Sequence, residues 1–226
     1  MKDLTRCFTE KHTKPPNCIA KWDHLVPGID WRTLLARYTT GLITPKDFGS
    51  HYKLIFHRAF LTNPHNPRAT THLCRACGAE RETILHLGKC PTLKPVFEFM
   101  RKFDRGSTWE DVKLNLFGVN EMKGTVPRGT SALHFILWKF VLIQLTMLSL
   151  KNEPLRIEDI ITQACKRLAK RVKAQEYEMR CEECKAQSRD SQMSYSKFVT
   201  RLEGIATVAD GKIVLHDDIQ AILDTS

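Results

Sequence analysis

The segment Leu73–Pro91, LCRACGAERETILHLGKCP, constrains this chain more than any other. Cys74, Cys77, His86 and Cys90 fall in the spacing C-x2-C-x8-H-x3-C. Zinc takes about four soft or borderline ligands in a tetrahedron. A C-x-x-C turn sets two thiolates on one ion, and Gly78 lets the backbone curl behind it. Residues 82–87 read as a short helix that presents His86, and Cys90 lies four residues on, hence on the same helical face. His72 competes as a ligand but sits too near Cys74 for easy geometry. A closed set of four protein ligands leaves no position for water, which points to one structural Zn2+ ion and away from catalysis.

The rest of the chain sets the partners such a centre would serve. Its 226 residues suit one large domain or two small ones. At 42% apolar and 27% charged residues, the chain is not disordered as a whole. The formal net charge is +10, carried as +6 in residues 1–70, +4 in 71–150 and +2 in 151–190, against −2 in 191–226. That balance favours polyanionic partners, nucleic acid first and an anionic membrane surface second. Residues 1–20 are charged and lack the apolar run of a secretory signal. The two C-x-x-C pairs among eight cysteines therefore point to metal rather than disulfides. An intracellular location follows, with a nuclear one favoured over an organellar one.

Periodicity gives a mainly α fold. Residues 1–30 read as an irregular N-terminal segment, broken by Pro15, Pro16, Pro27 and Gly28. Residues 31–117 form the helical zinc-binding domain. Asp30 caps WRTLLARYTT, and Thr44 caps a second helix with Pro45 at its first position. Phe48, Tyr52, Ile55, Phe56, Ala59 and Phe60 recur there at helical spacing, as a core face more than a base-stacking one. Pro91 and Pro95 start a helix whose apolar face is Val96, Phe99, Met100 and Phe103. Ser107 opens S-T-W-E, a capping box with Glu110. Gly118, Gly124, Pro127 and Gly129 make residues 118–130 a mobile loop.

Residues 131–190 form a long helical hairpin. The run Leu133–Leu150 is long enough to cross a bilayer, on the order of 20 residues. It carries His134, Lys139 and Gln144 internally, and a central Lys costs about 2.5–3.5 kcal/mol in a membrane. A buried core helix, with no membrane span, is therefore expected. The second helix runs from Pro154 to about residue 188. Ile157, Ile160, Ile161, Ala164, Leu168 and Val172 face inward. Lys166, Arg167, Lys170, Arg171 and Lys173 crowd the other face as a candidate grip on nucleic-acid phosphates. Residues 191–226 form a small C-terminal element: a helix at Tyr195–Leu202, then a hairpin turning at Asp210-Gly211 between IATV and KIVL. Asp210, Asp217 and Asp218 read as surface carboxylates.

The segment from about Trp31 to Phe103 resembles the zinc-binding domain that follows the polymerase in reverse transcriptases of non-long-terminal-repeat retrotransposons. The likeness rests on the aromatic-rich KLIFHRAFLTNP at 53–64 and on Cys74, Cys77, Gly78, Glu82, Thr83, His86, Leu87, Cys90 and Pro91. The Trp-bearing HFILWKFVLIQ at 134–144 is similar to the apolar helix that comes next in that family. The resemblance covers about half the chain. It implies a helical fold and a nucleic-acid contact, without polymerase activity, since no Y-x-D-D or related paired-aspartate motif is present. No carboxylate and lysine set suited to a nuclease follows residue 90.

Cys181 and Cys184 form a second C-x-x-C and a possible second metal site, whose remaining ligands would have to come from Cys7, His12 or Cys18. The function expected is a non-catalytic zinc module that binds nucleic acid, RNA or single strands above all. The alternative is a structural subunit of a larger protein or ribonucleoprotein complex.

Overall fold

A computed structural model describes residues 17–38, 42–57, 72–104, 108–120, 124–125, 127–181 and 195–226. Helix α1 (Asn17–Leu25) is followed by α2 (Trp31–Arg37) and α3 (Pro45–His57). Then come a single turn, α4 (Ile84–Leu87), a 3-10 turn at Pro91–Leu93, α5 (Lys94–Asp104) and α6 (Val112–Phe117). The two long helices are α7 (Arg128–Lys151) and α8 (Ile157–Arg180), and α9 (Tyr195–Leu202) and α10 (Asp217–Asp224) complete the helical part. Two antiparallel pairs, β1 (Val119–Asn120) with β2 (Gly124–Thr125) and β3 (Ala206–Ala209) with β4 (Lys212–Leu215), are the only strands among the described residues.

The mainly α expectation holds, and so does the C-terminal hairpin. Asp210 at φ 50° and Gly211 at φ 70° supply the two positive-φ positions that a two-residue turn matching strand twist requires. Four local expectations need correction. Asn17–Leu25, expected to be irregular, is a helix. Pro16 before it and Pro27-Gly28 after it are boundary signals rather than breakers of the whole segment. Its Ile19 and Trp22 are buried, and the Trp22 indole donates to the Ile55 carbonyl at 2.8 Å.

Within 118–130, expected to be a loop, β1 pairs with β2 and α7 begins at Arg128. Helix α6 is capped by Asp111, which accepts from the Leu114 amide at 2.8 Å, and not through the S-T-W-E box. Ser107 itself lies outside the described residues. Helix α8 starts at Ile157 and its last described turn ends at Arg180, short of residue 188.

One apolar cluster runs from Ile19 to Ile219. At its centre is α7, which packs on α3 and α8 and also touches α5 and α9. By length and composition α7 could cross a membrane, and half of its most apolar window is buried inside the protein. Phe135, Trp138 and Leu145 are among its fully enclosed side chains. The rings that follow α2 and line α3 are packed there too: Tyr38 stacks on Phe135 at 4.7 Å, and Tyr52 and Phe56 lie 4.8 Å apart. Burial pushes His51 down to about 3. The neutral ring takes the Tyr38 hydroxyl on Nδ1 and donates from Nε2 to the Leu116 carbonyl, 2.7 Å each. It is a core connector, not a base. Ala59 and Phe60 lie outside the described residues.

Candidate metal centre and basic helix

The metal cluster is assembled from a hairpin and a helix end. Leu73 and Arg81 form an antiparallel bridge, the Cys74 amide donates to the Glu80 carbonyl at 2.6 Å, and the Gly78 amide donates to the Cys74 carbonyl at 2.7 Å. Gly78 sits at φ 68°, the left-handed region in which a side chain would be strained. Thr83 then caps α4, its hydroxyl accepting from the His86 amide at 3.0 Å. The result brings one ligand atom each from Cys74, Cys77, His86 and Cys90 to within 4.8 Å of one another.

These residues can hold one metal ion, and the spacings fit zinc chemistry. Zn–S bonds of about 2.3 Å and Zn–N bonds of about 2.0–2.1 Å in a tetrahedron put two sulfurs about 3.8 Å apart and a sulfur and nitrogen about 3.6 Å apart. Cys74 Sγ and Cys90 Sγ are separated by 3.9 Å, and Cys77 Sγ and His86 Nε2 by 3.3 Å. A hydrogen bond between the Cys74 and Cys90 sulfurs, with burial behind it, pushes the Cys74 thiol up, while the same bond holds Cys90 down. Metal binding takes such thiols as thiolates and so releases protons. His72 is exposed and outside the cluster.

One geometric expectation fails. Cys90 is not on the helical face of His86. Helix α4 is one turn long, Gly88 closes it, and Cys90 caps the 3-10 turn beginning at Pro91. The turn of chain, rather than helical periodicity, returns the fourth ligand.

The residues that brace the cluster were not singled out for that work by the sequence. Glu80 Oε2 lies 3.1 Å from His86 Nδ1, leaving Nε2 to face the metal position. Glu82, its side chain wholly buried, accepts from the Arg75 amide at 3.0 Å and pairs with the Arg75 guanidinium at 2.7 Å. Arg75 reaches on to the Leu145 carbonyl at 3.2 Å and to Ser149 Oγ at 2.9 Å, both on α7. Behind the cluster, the Asn115 side chain donates to the carbonyls of Gly88 and Trp109, 2.6 Å each. The Asn115 main-chain carbonyl accepts from Trp138 Nε1 and His134 Nε2, 2.8 Å each. The matched pair Glu82–Thr83 was the available signal. Nothing in the spacing marked Asn115.

The basic helix divides into two faces. A rotation of about 100° per residue puts Lys166, Lys170 and Lys173 within about 60° of one another and turns Arg167 and Arg171 toward a different face. The three lysines are exposed. The two arginines, expected to be exposed with them, turn inward to Asp47, whose side chain is wholly buried. Arg167 reaches Asp47 Oδ1 at 2.9 Å, Arg171 Nε lies 3.4 Å from Oδ2, and Lys139 of α7 reaches Oδ1 at 3.1 Å. Thr44 donates its amide and hydroxyl to Oδ2, so the Asp47 carboxylate satisfies the free amide just before α3. Burial opposes the charge on Asp47, but the hydrogen bonds from Thr44, Arg167 and Lys139 outweigh it and hold the carboxyl well below the usual carboxylate range.

Cys181 is half-buried where α8 ends. Cys184, Cys7 and His12 lie outside the described residues, as does the Cys18 side chain, so no second cluster is assembled from them here. Asp217 and Asp218 occupy the first turn of α10, where they complement its positive end, and Asp218 pairs with Lys102. No protein-family model, curated protein or solved structure matches the chain.

Proposed function

We propose that this protein is a non-catalytic zinc-binding module that binds nucleic acid, RNA or single strands above all, and that it is related to the zinc domain of non-long-terminal-repeat reverse transcriptases. The observation that carries the reading is the convergence of Cys74, Cys77, His86 and Cys90 to within 4.8 Å. Three sulfurs and one imidazole form a donor set that suits zinc over hard, oxygen-preferring cations. All four positions of a tetrahedron are filled by protein, so the ion would hold structure and activate no water. The net charge of +10 and the exposed lysines of α8 supply the attraction for a polyanion.

Metal analysis of the purified protein should give about one zinc per chain, and Cys77→Ser should lower the melting temperature as well as the zinc content. A metal-free protein of unchanged stability refutes the structural role. Affinity for single-stranded RNA should fall with salt at a logarithmic slope of about −0.7 per phosphate contacted. Salt-independent binding, or none, refutes the nucleic-acid role. A subunit role in a larger complex draws support from α7, where Ile143 at 43% and Leu150 at 76% stay exposed beside half-buried Phe140 and Met147.

A further inference from the structure

The junction of α3, α7 and α8 holds one carboxylate and three cations. Asp47 accepts from Lys139 and Arg167 through Oδ1 and from both donors of Thr44 through Oδ2. Its acceptor capacity is filled. Arg171 reaches Thr44 Oγ1 through one terminal nitrogen at 3.1 Å, and its Nε, 3.4 Å from Asp47, makes no hydrogen bond. Among the described residues, one negative charge thus pairs with three positive ones within a few ångströms of each other.

The cluster is not sealed. The side chains of Lys139, Arg167 and Arg171 keep 19%, 29% and 26% of their surface, while that of Asp47 has none. The first turn of α3 adds its positive end at the same place, with Lys46 exposed on it, and Lys170 is exposed on the turn of α8 between the two arginines. Here the carboxylate fixes the direction of three cations that it cannot neutralise.

We infer that this junction is a phosphate-binding cradle, in which Lys139, Arg167 and Arg171 take phosphate groups of a nucleic-acid backbone and Asp47 is the pin that orders them. The planar fork of arginine suits such an oxyanion, and a fork already held along one edge loses less freedom when the phosphate arrives. The cradle carries the contact surface off the exposed lysine stripe of α8 and across to α7 and the start of α3. The identity of the ligand rests on the nucleic-acid reading above; the phosphate site itself does not.

The test uses the full-length, metal-loaded protein. Inorganic phosphate is titrated at constant ionic strength, with chloride exchanged for it, while the side-chain Nε–H resonances of Arg167 and Arg171 are followed by NMR. Saturable shifts at both are expected, and shifts no larger than those of Arg156 and Arg180 overturn the proposal. In parallel, Arg171→Gln is compared with Arg171→Lys and the parent on single-stranded RNA with and without a 5′-phosphate, with melting temperature measured for each. Arg171→Gln should weaken binding of both RNAs and reduce the salt slope by about 0.7, the share of one phosphate contact, with partial recovery in Arg171→Lys. Loss confined to the 5′-phosphorylated RNA would move the site from backbone to terminal phosphate and overturn the backbone assignment. A parent that takes phosphate but no RNA refutes the nucleic-acid reading and leaves the cradle standing. A parent that binds RNA as tightly as a folded Arg171→Gln variant keeps that reading and sinks the cradle.

Discussion

Glu80 touches no metal position, yet it decides how His86 meets one. Its carboxylate 3.1 Å from Nδ1 favours the tautomer protonated there, which leaves Nε2 bare toward Cys77 and the ion. Glu80→Gln keeps an oxygen acceptor but removes the charge that raises the basicity of the imidazole. Zinc affinity should drop about tenfold, the low end for such outer partners, because Glu80 is itself exposed. Competition with a chromophoric chelator measures this, and an unchanged affinity would show that the contact does nothing for the metal. Asp47 makes a second residue-scale case. Its carboxyl is held below the ordinary value of about 3.9. The stabilisation is therefore complete above that range and is withdrawn as pH falls through it toward the folded value. Asp47→Asn should cost stability near neutrality, at the low end of about 3–5 kcal/mol for breaking a buried pair. It should also flatten the acid limb of a stability-against-pH curve from denaturant melts. An acid limb as steep as the parent's would assign that slope to other carboxylates.

At the scale of elements, α8 shows what a one-dimensional pattern can and cannot carry. The basic run was plain in the sequence, and helical rotation alone separates Lys166, Lys170 and Lys173 from Arg167 and Arg171. What the two arginines meet was not plain, because Asp47 lies 120 residues from Arg167 and acts by the docking of α3. The two faces should answer differently to charge reversal. Lys170→Glu should leave stability within about 0.5 kcal/mol, as for an exposed position. Arg171→Glu sets a carboxylate against buried Asp47 and should cost on the order of 2 kcal/mol, less than a pair broken outright because Lys139 and Arg167 remain. Equal urea midpoints for the two variants would contradict the division. The metal ligands were legible for the opposite reason, since C-x-x-C and His-x3-Cys are local chemistry. Cys90 was misplaced because Gly88 ends the helix between the last two ligands and Pro91 opens a separate turn just after Cys90. The strands at 119–120 and 124–125 are two residues each, too short for any alternation to show.

Across the whole molecule, the C-terminal residues belong to the same core as the metal-bearing part. Phe198, Leu202, Ile205 and Ile219 are fully enclosed, and α9 and α10 pack on α7 and α8. No boundary in composition announced this, because the covering residues are ordinary Phe, Leu and Ile of an amphipathic helix and a hairpin. The same continuity reaches the far end of α7 through Arg75. That side chain is clamped by Glu82 within the cysteine hairpin and bonded to Leu145 and Ser149 in the last turns of α7. Those turns carry the exposed Leu150 and close at Asn152 in a left-handed cap. Withdrawing the ion should therefore unlatch a strut more than 50 residues downstream in the chain. Amide exchange at 146–151 should quicken on chelation while the buried first half of α7 stays slow, making the far end of one helix a gauge of whether the cysteines are filled.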